Sequence, residues 1–250
     1  MKQQVRGILK VLVNGYLRAG KLRRTFSSMN QERGLKKEIL RMVAGYRRFR
    51  DRFFNEETDV YTKLASGGQR PKTLMIACSD SRVDPAILFH LSPGEIFVVR
   101  NVANLVPPFE SNMGFHGVSA AIEFAVVNLE VENIIVLGHR QCGGIRALFQ
   151  TENVRQGGFV AQWMSIARNA KENVLAKFPH GDIDTLCREC ERESIVTSLT
   201  NLKTFPFVSE AVKARGLQLI GIYFDLENGH LWYYDDNQSA FEELTLSPKA

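Results

Sequence analysis

The sequence predicts an α/β fold: a mostly parallel central sheet flanked by helices, preceded by an N-terminal helical arm. Short apolar runs of strand length alternate with stretches whose apolar residues recur at helical spacing, and the body shows no tandem repeat or low-complexity linker. With 250 residues the chain has material for one large catalytic domain, placed at 33–250, behind a basic amphipathic extension, 1–32.

Residues 34–55 carry apolar side chains at 35, 39, 40, 43, 46, 49 and 53 among many cations, the pattern of an amphipathic helix. Thr73 to Ala77 predicts a buried strand entering Cys78, and Gly94 to Arg100 a second strand begun by the turn Pro93-Gly94. Between them, Val83-Asp84-Pro85 starts a helix with Asp84 as cap and Pro85 in the first helical position. Val118 to Leu129 predicts a buried helix, and Asn133 to Leu137 the strand that delivers Gly138-His139. Ser194 to Leu202 and Val208 to Arg215 are expected to be helical. A strand from Leu217 to Phe224 and a last one from His230 to Tyr234 follow, joined by the turn Glu227-Asn228-Gly229-His230.

Charge is uneven along the chain. Residues 1–50 hold 14 Lys plus Arg against 2 Glu, so the body that follows is mildly acidic. No recognisable nucleic-acid reader motif accompanies the basic segment, and nucleic acid is not expected as a partner. Val5, Ile8, Leu9, Leu12, Tyr16 and Leu17 recur at helical spacing beside Lys2, Arg6, Lys10 and Arg18. Such a helix packs on the protein's own body, covers a partner subunit or, through residues 1–24, lies on an anionic membrane surface. It is too short and too charged to be a membrane span or a signal peptide. The surroundings of the cysteines look like metal chemistry rather than a disulfide framework, which favours a reducing compartment and a cytoplasmic location.

Cys78 in Ala77-Cys78-Ser79-Asp80-Ser81-Arg82 and His139 with Cys142 in Gly138-His139-Arg140-Gln141-Cys142-Gly143-Gly144 each follow a predicted strand. Sites in open α/β sheets form at the carboxyl ends of strands. Two thiolates and one imidazole suit tetrahedral zinc, and a three-ligand set leaves a position for water. Because two thiolates already cancel the dication, activity is expected to rise into the alkaline range. An Asp80 carboxylate held by Arg82 stays ionised and oriented, ready to accept a proton from the attacking oxygen. Gly143 and Gly144 are expected to let the backbone pass close to the metal.

These residues resemble the β class of carbonic anhydrases, in its plant-type branch. The likeness is carried by Cys78 to Arg82, by Phe97-Val98-Val99-Arg100-Asn101-Val102-Ala103-Asn104, by Ala121-Ile122-Glu123-Phe124-Ala125-Val126 and by Gly138 to Gly144, from about residue 33 to residue 246. It implies reversible hydration of carbon dioxide to bicarbonate and a proton. It makes Cys78, His139 and Cys142 the zinc ligands, one zinc per subunit, and Asp80 with Arg82 the catalytic dyad. Gln69 resembles the glutamine that donates to substrate, and Phe97, Val102 and Phe124 fall where the branch lines its apolar pocket. The plant-type pattern has tyrosine where Phe124 stands, so that hydroxyl is missing here. The resemblance also implies an obligate homodimer, sometimes built into tetramers or octamers, with the site at the subunit interface.

Two other functions compete. Carbon disulfide or carbonyl sulfide hydrolases use a similar scaffold, and a structural zinc module would recruit Asp80 as a permanent fourth ligand. Cys187-Arg188-Glu189-Cys190 invites a second zinc half-site or a redox pair, but two unmetallated cysteines of a helix are expected. His90, His116, His180 and His230 are expected to be core or surface histidines.

Overall fold

The computed structural model describes residues 37–54, 60–111, 114, 116–150, 155 and 157–244. The proposed boundary at 32/33 and the basic segment before it lie outside the described residues. The chain divides into two compact units, 1–63 and 64–250.

In the first unit, α1 (Lys37–Phe53) has the expected amphipathic pattern, yet none of its residues is buried. Ile39, Leu40, Met42 and Tyr46 are exposed along it. Its far end is held by aromatic contacts: Phe49, Phe53 and Phe54 surround Tyr61, with Phe54 stacked on that ring at 5.1 Å.

The second unit is a six-stranded sheet in the order β2-β1-β3-β4-β5-β6. The strands are β1 (Thr73–Cys78), β2 (Ile96–Asn101), β3 (Asn133–His139), β4 (Gln218–Phe224), β5 (Leu231–Asp235) and β6 (Ala240–Glu243). The first four in sheet order run parallel, and β5 and β6 return antiparallel. β1 sits between β2 and β3, so its run Leu74 to Ala77 is buried on both faces. That is why it reads as a continuous apolar stretch rather than an alternating one.

The helices, in chain order, are α2 (Val60–Gly67), α3 (Pro85–Leu88), α4 (Gly117–Glu123), α5 (Gly143–Phe149), α6 (Phe159–Met164), α7 (Arg168–Lys177), α8 (Ile183–Leu202) and α9 (Pro206–Arg215). One face of the sheet, with Leu74, Ile76, Ile134 and Val136, packs on Ile122 and Val126, on Ile195, Leu199 and Leu202 of α8, and on Val208 of α9. The opposite face, with Met75, Ala77, Leu137 and Ile222, meets Val83 and the half-buried Leu88 and Phe89 around α3. Helical cover is therefore heavy on one face and slight on the other among the described residues. Where α5 to α8 pack together, a third cluster holds Cys78 and Cys142 with Ala103, Leu105, Ile145 and Cys190.

Several elements depart from the sequence expectation. The predicted helix over 118–129 is α4 followed by a five-residue π-helical turn, Phe124–Asn128. The extra residue turns Ala125 and Val126 inward and leaves Phe124 and Val127 exposed. α8 begins at Ile183, well before Ser194, and is capped by Asp182, whose side chain accepts from Thr185 N at 2.7 Å. Its buried stripe includes Cys187, Cys190, Glu191, Ser194 and Ser198. Five of its eight buried residues are polar or sulfur, which hides the helical period from a reading based on apolar residues.

Candidate active site

Cys78 ends β1 and His139 ends β3, neighbouring parallel strands, so both side chains arrive at one edge of the sheet. The chain then turns through Gln141, whose φ of 59° is left-handed, and Cys142 becomes the N-cap of α5. This turn brings Cys142 back to the strand ends. One donor atom from each of Cys78, His139 and Cys142 lies within 4.8 Å of the others, all three residues buried.

The donor set fits zinc. The two sulfurs are 3.9 Å apart, far beyond an S–S bond of about 2.05 Å. They match the separation of about 3.8 Å that tetrahedral angles give two sulfurs about 2.3 Å from zinc. His139 Nδ1 lies 2.9 Å from Arg140 O, a contact that fixes the tautomer, while the buried Nε2 has no hydrogen-bond partner. The hydrogen bond from Cys142, with help from His139 and the Asp80 amide, holds the Cys78 thiol low against the opposing effect of burial. The same contact with Cys78, together with burial, pushes Cys142 up. At His139 burial disfavours the charged ring, but the nearby Cys78 sulfur, with the Arg140 carbonyl, outweighs it and raises the pKa. Two sulfurs and a ring thus compete for shared protons that a dication would replace.

Asp80 is outside this donor group. Arg82 grips it through Nε to Oδ1 at 2.9 Å and Nη2 to Oδ2 at 2.8 Å, and the Arg82 amide adds a third bond at 2.9 Å. This fork holds the Asp80 carboxyl well below the usual carboxylate range. Arg82 also donates to Gln141 O at 3.0 Å, tying the dyad to the turn that carries the other two ligands. Cys78 and Asp80 come together through a turn rather than an extended strand: Val83 N bonds Asp80 O at 3.1 Å, and the Asp80 amide points at Cys78 Sγ, 3.4 Å away.

Sequence reasoning missed what holds that turn. Arg100, from the neighbouring β2, donates to the carbonyls of Cys78, Asp80 and Val83 at 2.9, 2.7 and 2.8 Å, and to Asp84 Oδ2 at 3.0 Å. Asp84 caps α3 as expected, with Pro85 in the first helical position. Glu191 of α8 was also missed. It is 2% exposed, takes the Cys142 amide at 3.0 Å on Oε1 and the Tyr223 hydroxyl at 2.8 Å on Oε2. Burial raises its pKa while those two donors and Arg140 pull it down. No apolar stripe marked it, because the inward face of α8 around Glu191 is itself polar or sulfur.

The two glycines after Cys142 separate. A Cβ on Gly144 would lie 2.8 Å from Val102 Cγ1 and 3.0 Å from Ala103 Cβ, whereas one on Gly143 would meet nothing within 4 Å. The tight approach at Gly144 is therefore between α5 and the turn after β2.

The expected substrate residues fall on β2, on the turn after it, on the π-helical turn and in the segment before β1. Phe97 and Phe124 lie together, rings 5.8 Å apart, with Phe124 exposed. Val102, also exposed, lines a 730 Å³ groove with Asn101, His116, Phe159 and Trp163. Gln69 is exposed in the segment before β1. Cys187 and Cys190 are buried in α8 and unpaired. His90, His180 and His230 are exposed, and His230 Nδ1 lies 2.8 Å from Glu243 Oε1.

A mostly parallel α/β sheet carrying a buried two-sulfur, one-imidazole centre at its strand ends defines an α/β zinc protein. The chain belongs to the carbonic anhydrase family, β class: the family model described as carbonic anhydrase matches residues 73–231. It is 42% identical over 173 residues to β carbonic anhydrase 5, chloroplastic, of Arabidopsis thaliana. That match covers 69% of this chain and 56% of the length of the relative. Among solved structures, the β-carbonic anhydrase CcaA superposes with a TM-score of 0.78 at 32% identity, covering 84% of this chain and 94% of the other. One of two tetrameric β-carbonic anhydrases from Sordaria macrospora gives 0.67 at 26% identity, covering 84% and 98%.

Proposed function

We propose that this chain catalyses the reversible hydration of carbon dioxide to bicarbonate and a proton, as a zinc enzyme of the plant-type branch. The observation that carries the reading is the commitment of Asp80 to Arg82, which leaves Cys78, His139 and Cys142 as the protein donors. Cys78, His139 and Cys142 would hold zinc, which would supply Lewis acidity and draw the pKa of a water down from its bulk value toward neutrality. Asp80, ionised and fixed by the guanidinium fork, only accepts hydrogen bonds, so it takes the O–H of the attacking oxygen and leaves a lone pair facing the carbon. Phe97, Val102 and Phe124 supply apolar walls for a neutral gas, and the Gln69 amide donates to a substrate oxygen. The structural-zinc reading needs Asp80 as a fourth ligand, which the bidentate pair with Arg82 opposes.

The working unit is a homodimer. Val98, Val102, Phe124, Val127, Phe159 and Val160 are exposed apolar side chains, the kind of surface a second subunit buries. The Sordaria macrospora relatives are tetrameric, which supports further pairing of dimers here. The exposed apolar side of α1 suits a partner subunit, and residues 1–24 suit a partner or a membrane surface. Among the described residues no helix is long and apolar enough to cross a membrane. A reducing, cytoplasmic setting keeps the four thiols free.

Stopped-flow hydration on zinc-loaded protein tests the activity, with carbon disulfide and carbonyl sulfide run in parallel. Cys78→Ala is expected to lose zinc and activity while Cys187→Ala keeps both; the reverse result would overturn the ligand assignment. Faster turnover of either sulfur gas would move the substrate. Light scattering during size exclusion reads the dimer, and a monomer with full activity would sink it.

A further inference from the structure

Behind the metal centre lies a set of buried polar groups that the hydration chemistry does not use. Arg140 is 3% exposed, Glu191 2% and Tyr223 fully buried. Each has a defined partner toward the ligand loop. Glu191 Oε1 accepts the Cys142 amide at 3.0 Å, and Oε2 accepts the Tyr223 hydroxyl at 2.8 Å. Both oxygens accept, as an ionised carboxylate does. The charge facing them is Arg140, with Nη1 at 4.0 Å from Oε2. Arg140 is the residue whose carbonyl faces His139 Nδ1 at 2.9 Å. Its own guanidinium is drawn the other way by Asp184, at 2.6 Å, which also takes Arg146 of α5 at 2.9 Å. One network therefore touches both ligands of the His139–Cys142 loop: His139 through the Arg140 carbonyl, Cys142 through its amide on Glu191.

We propose that Glu191, braced by Tyr223 and Arg140, is a positioning residue that preorganises Cys142 and His139 and so sets how long the subunit retains its zinc. The reasoning is geometric. Cys142 stands where the chain leaves a left-handed residue, Gln141, and enters α5, a helix of only seven residues. Its backbone has few local restraints, because the first amides of a helix have no intrahelical acceptor. Glu191 reaches across from α8, 49 residues later, to satisfy that one amide. A carboxylate in this place costs desolvation that an apolar side chain would avoid, so its return lies in fixing the ligand rather than in packing. Groups of this kind behind metal ligands typically change metal affinity by about 10- to 100-fold when removed.

This inference rests on the zinc site proposed above, and its test reads metal retention rather than turnover. Full-length wild-type protein is first shown to load one zinc per chain; failure there sinks the zinc site itself. Zinc release into excess chelator is then followed for wild type, Glu191→Gln, Tyr223→Phe and Val208→Ala, with the absorption spectrum of each cobalt-substituted protein. Val208 is a fully buried core residue of α9 and controls for lost stability alone. Release is expected to quicken about 10- to 100-fold in Glu191→Gln and to a lesser degree in Tyr223→Phe, with altered cobalt spectra, and to stay at the wild-type rate in Val208→Ala. Wild-type release from folded Glu191→Gln overturns the proposal, as does equal acceleration in Val208→Ala. Should Glu191→Gln fail to fold, the isosteric Tyr223→Phe decides by the same two readouts. An enzyme inactive on carbon dioxide that nonetheless shows this pattern would refute the activity and leave the positioning role standing.

Discussion

Replacing Arg100 by methionine keeps most of the aliphatic stem and deletes the donors that fold the Cys78–Asp84 loop onto the sheet. Three of its bonds go to main-chain carbonyls, at 2.9, 2.7 and 2.8 Å. At about 1 kcal/mol net for each, their loss amounts to about 3 kcal/mol. The pairing with Asp84 adds little, because Asp84 is 38% exposed and water screens it. In a domain of this size 1 kcal/mol moves the melting temperature by about 2–4 °C, so a fall of about 6–12 °C is expected. Because the loop carries Cys78 and Asp80 together, activity at low zinc should fall further than stability does, and added zinc should recover part of both. Scanning calorimetry on zinc-loaded and chelator-treated protein, with metal content measured at each step, checks this. An unchanged melting temperature with full zinc occupancy would refute the idea that Arg100 holds the loop.

Other consequences follow from the same contacts. Gly144→Ala drives a Cβ into Val102 and Ala103, and overpacking of this kind typically costs about 1–3 kcal/mol. Gly143→Ala meets open space, so thermal unfolding of the two variants should separate them; equal losses would show that both glycines are needed against the metal. Burial pushes the Cys190 thiol up to about 12. An acid whose folded pKa is raised holds its proton while the unfolded chain loses it, so this contribution is present below the unfolded pKa and declines as pH rises above it. Relative to Cys190→Ala, wild type should therefore lose up to about 1.4 kcal/mol per pH unit above about pH 8.5, read from urea unfolding at stepped pH; parallel pH dependences would contradict the burial assignment. Arg82→Leu frees Asp80 to approach the metal, so X-ray absorption of the zinc-loaded variant should show an added protein oxygen and hydration should drop by about 10²- to 10⁴-fold. Retained activity there would remove Asp80 from the mechanism.

Much of the fold was legible because the strands carry unbroken apolar runs, fully buried in the central β1: Thr73 to Ala77, Gly94 to Arg100, Asn133 to Leu137 and Leu217 to Phe224 all mark strands. Where the buried face is polar the pattern fails, as at the first turns of α8, whose inward positions include Cys187, Cys190 and Glu191. The strand β6, Ala240–Glu243, was equally hidden, with Phe241 its lone large apolar residue. The π-helical turn at Phe124 gave no sequence warning, because inserting one residue into a helix changes which face a side chain occupies without changing the composition.

By itself the sequence determined the donors and their chemistry: Cys78, His139 and Cys142 at predicted strand ends, and the Asp80–Arg82 pair two residues apart. Those features are local, and residue type with short-range spacing is enough to specify them. Only the tertiary structure decided what holds them in place. Arg100 lies 22 residues from Cys78 and Glu191 lies 49 from Cys142, and bonds between such distant residues exist only after the parallel strands have set the register of the sheet and α8 has packed across it.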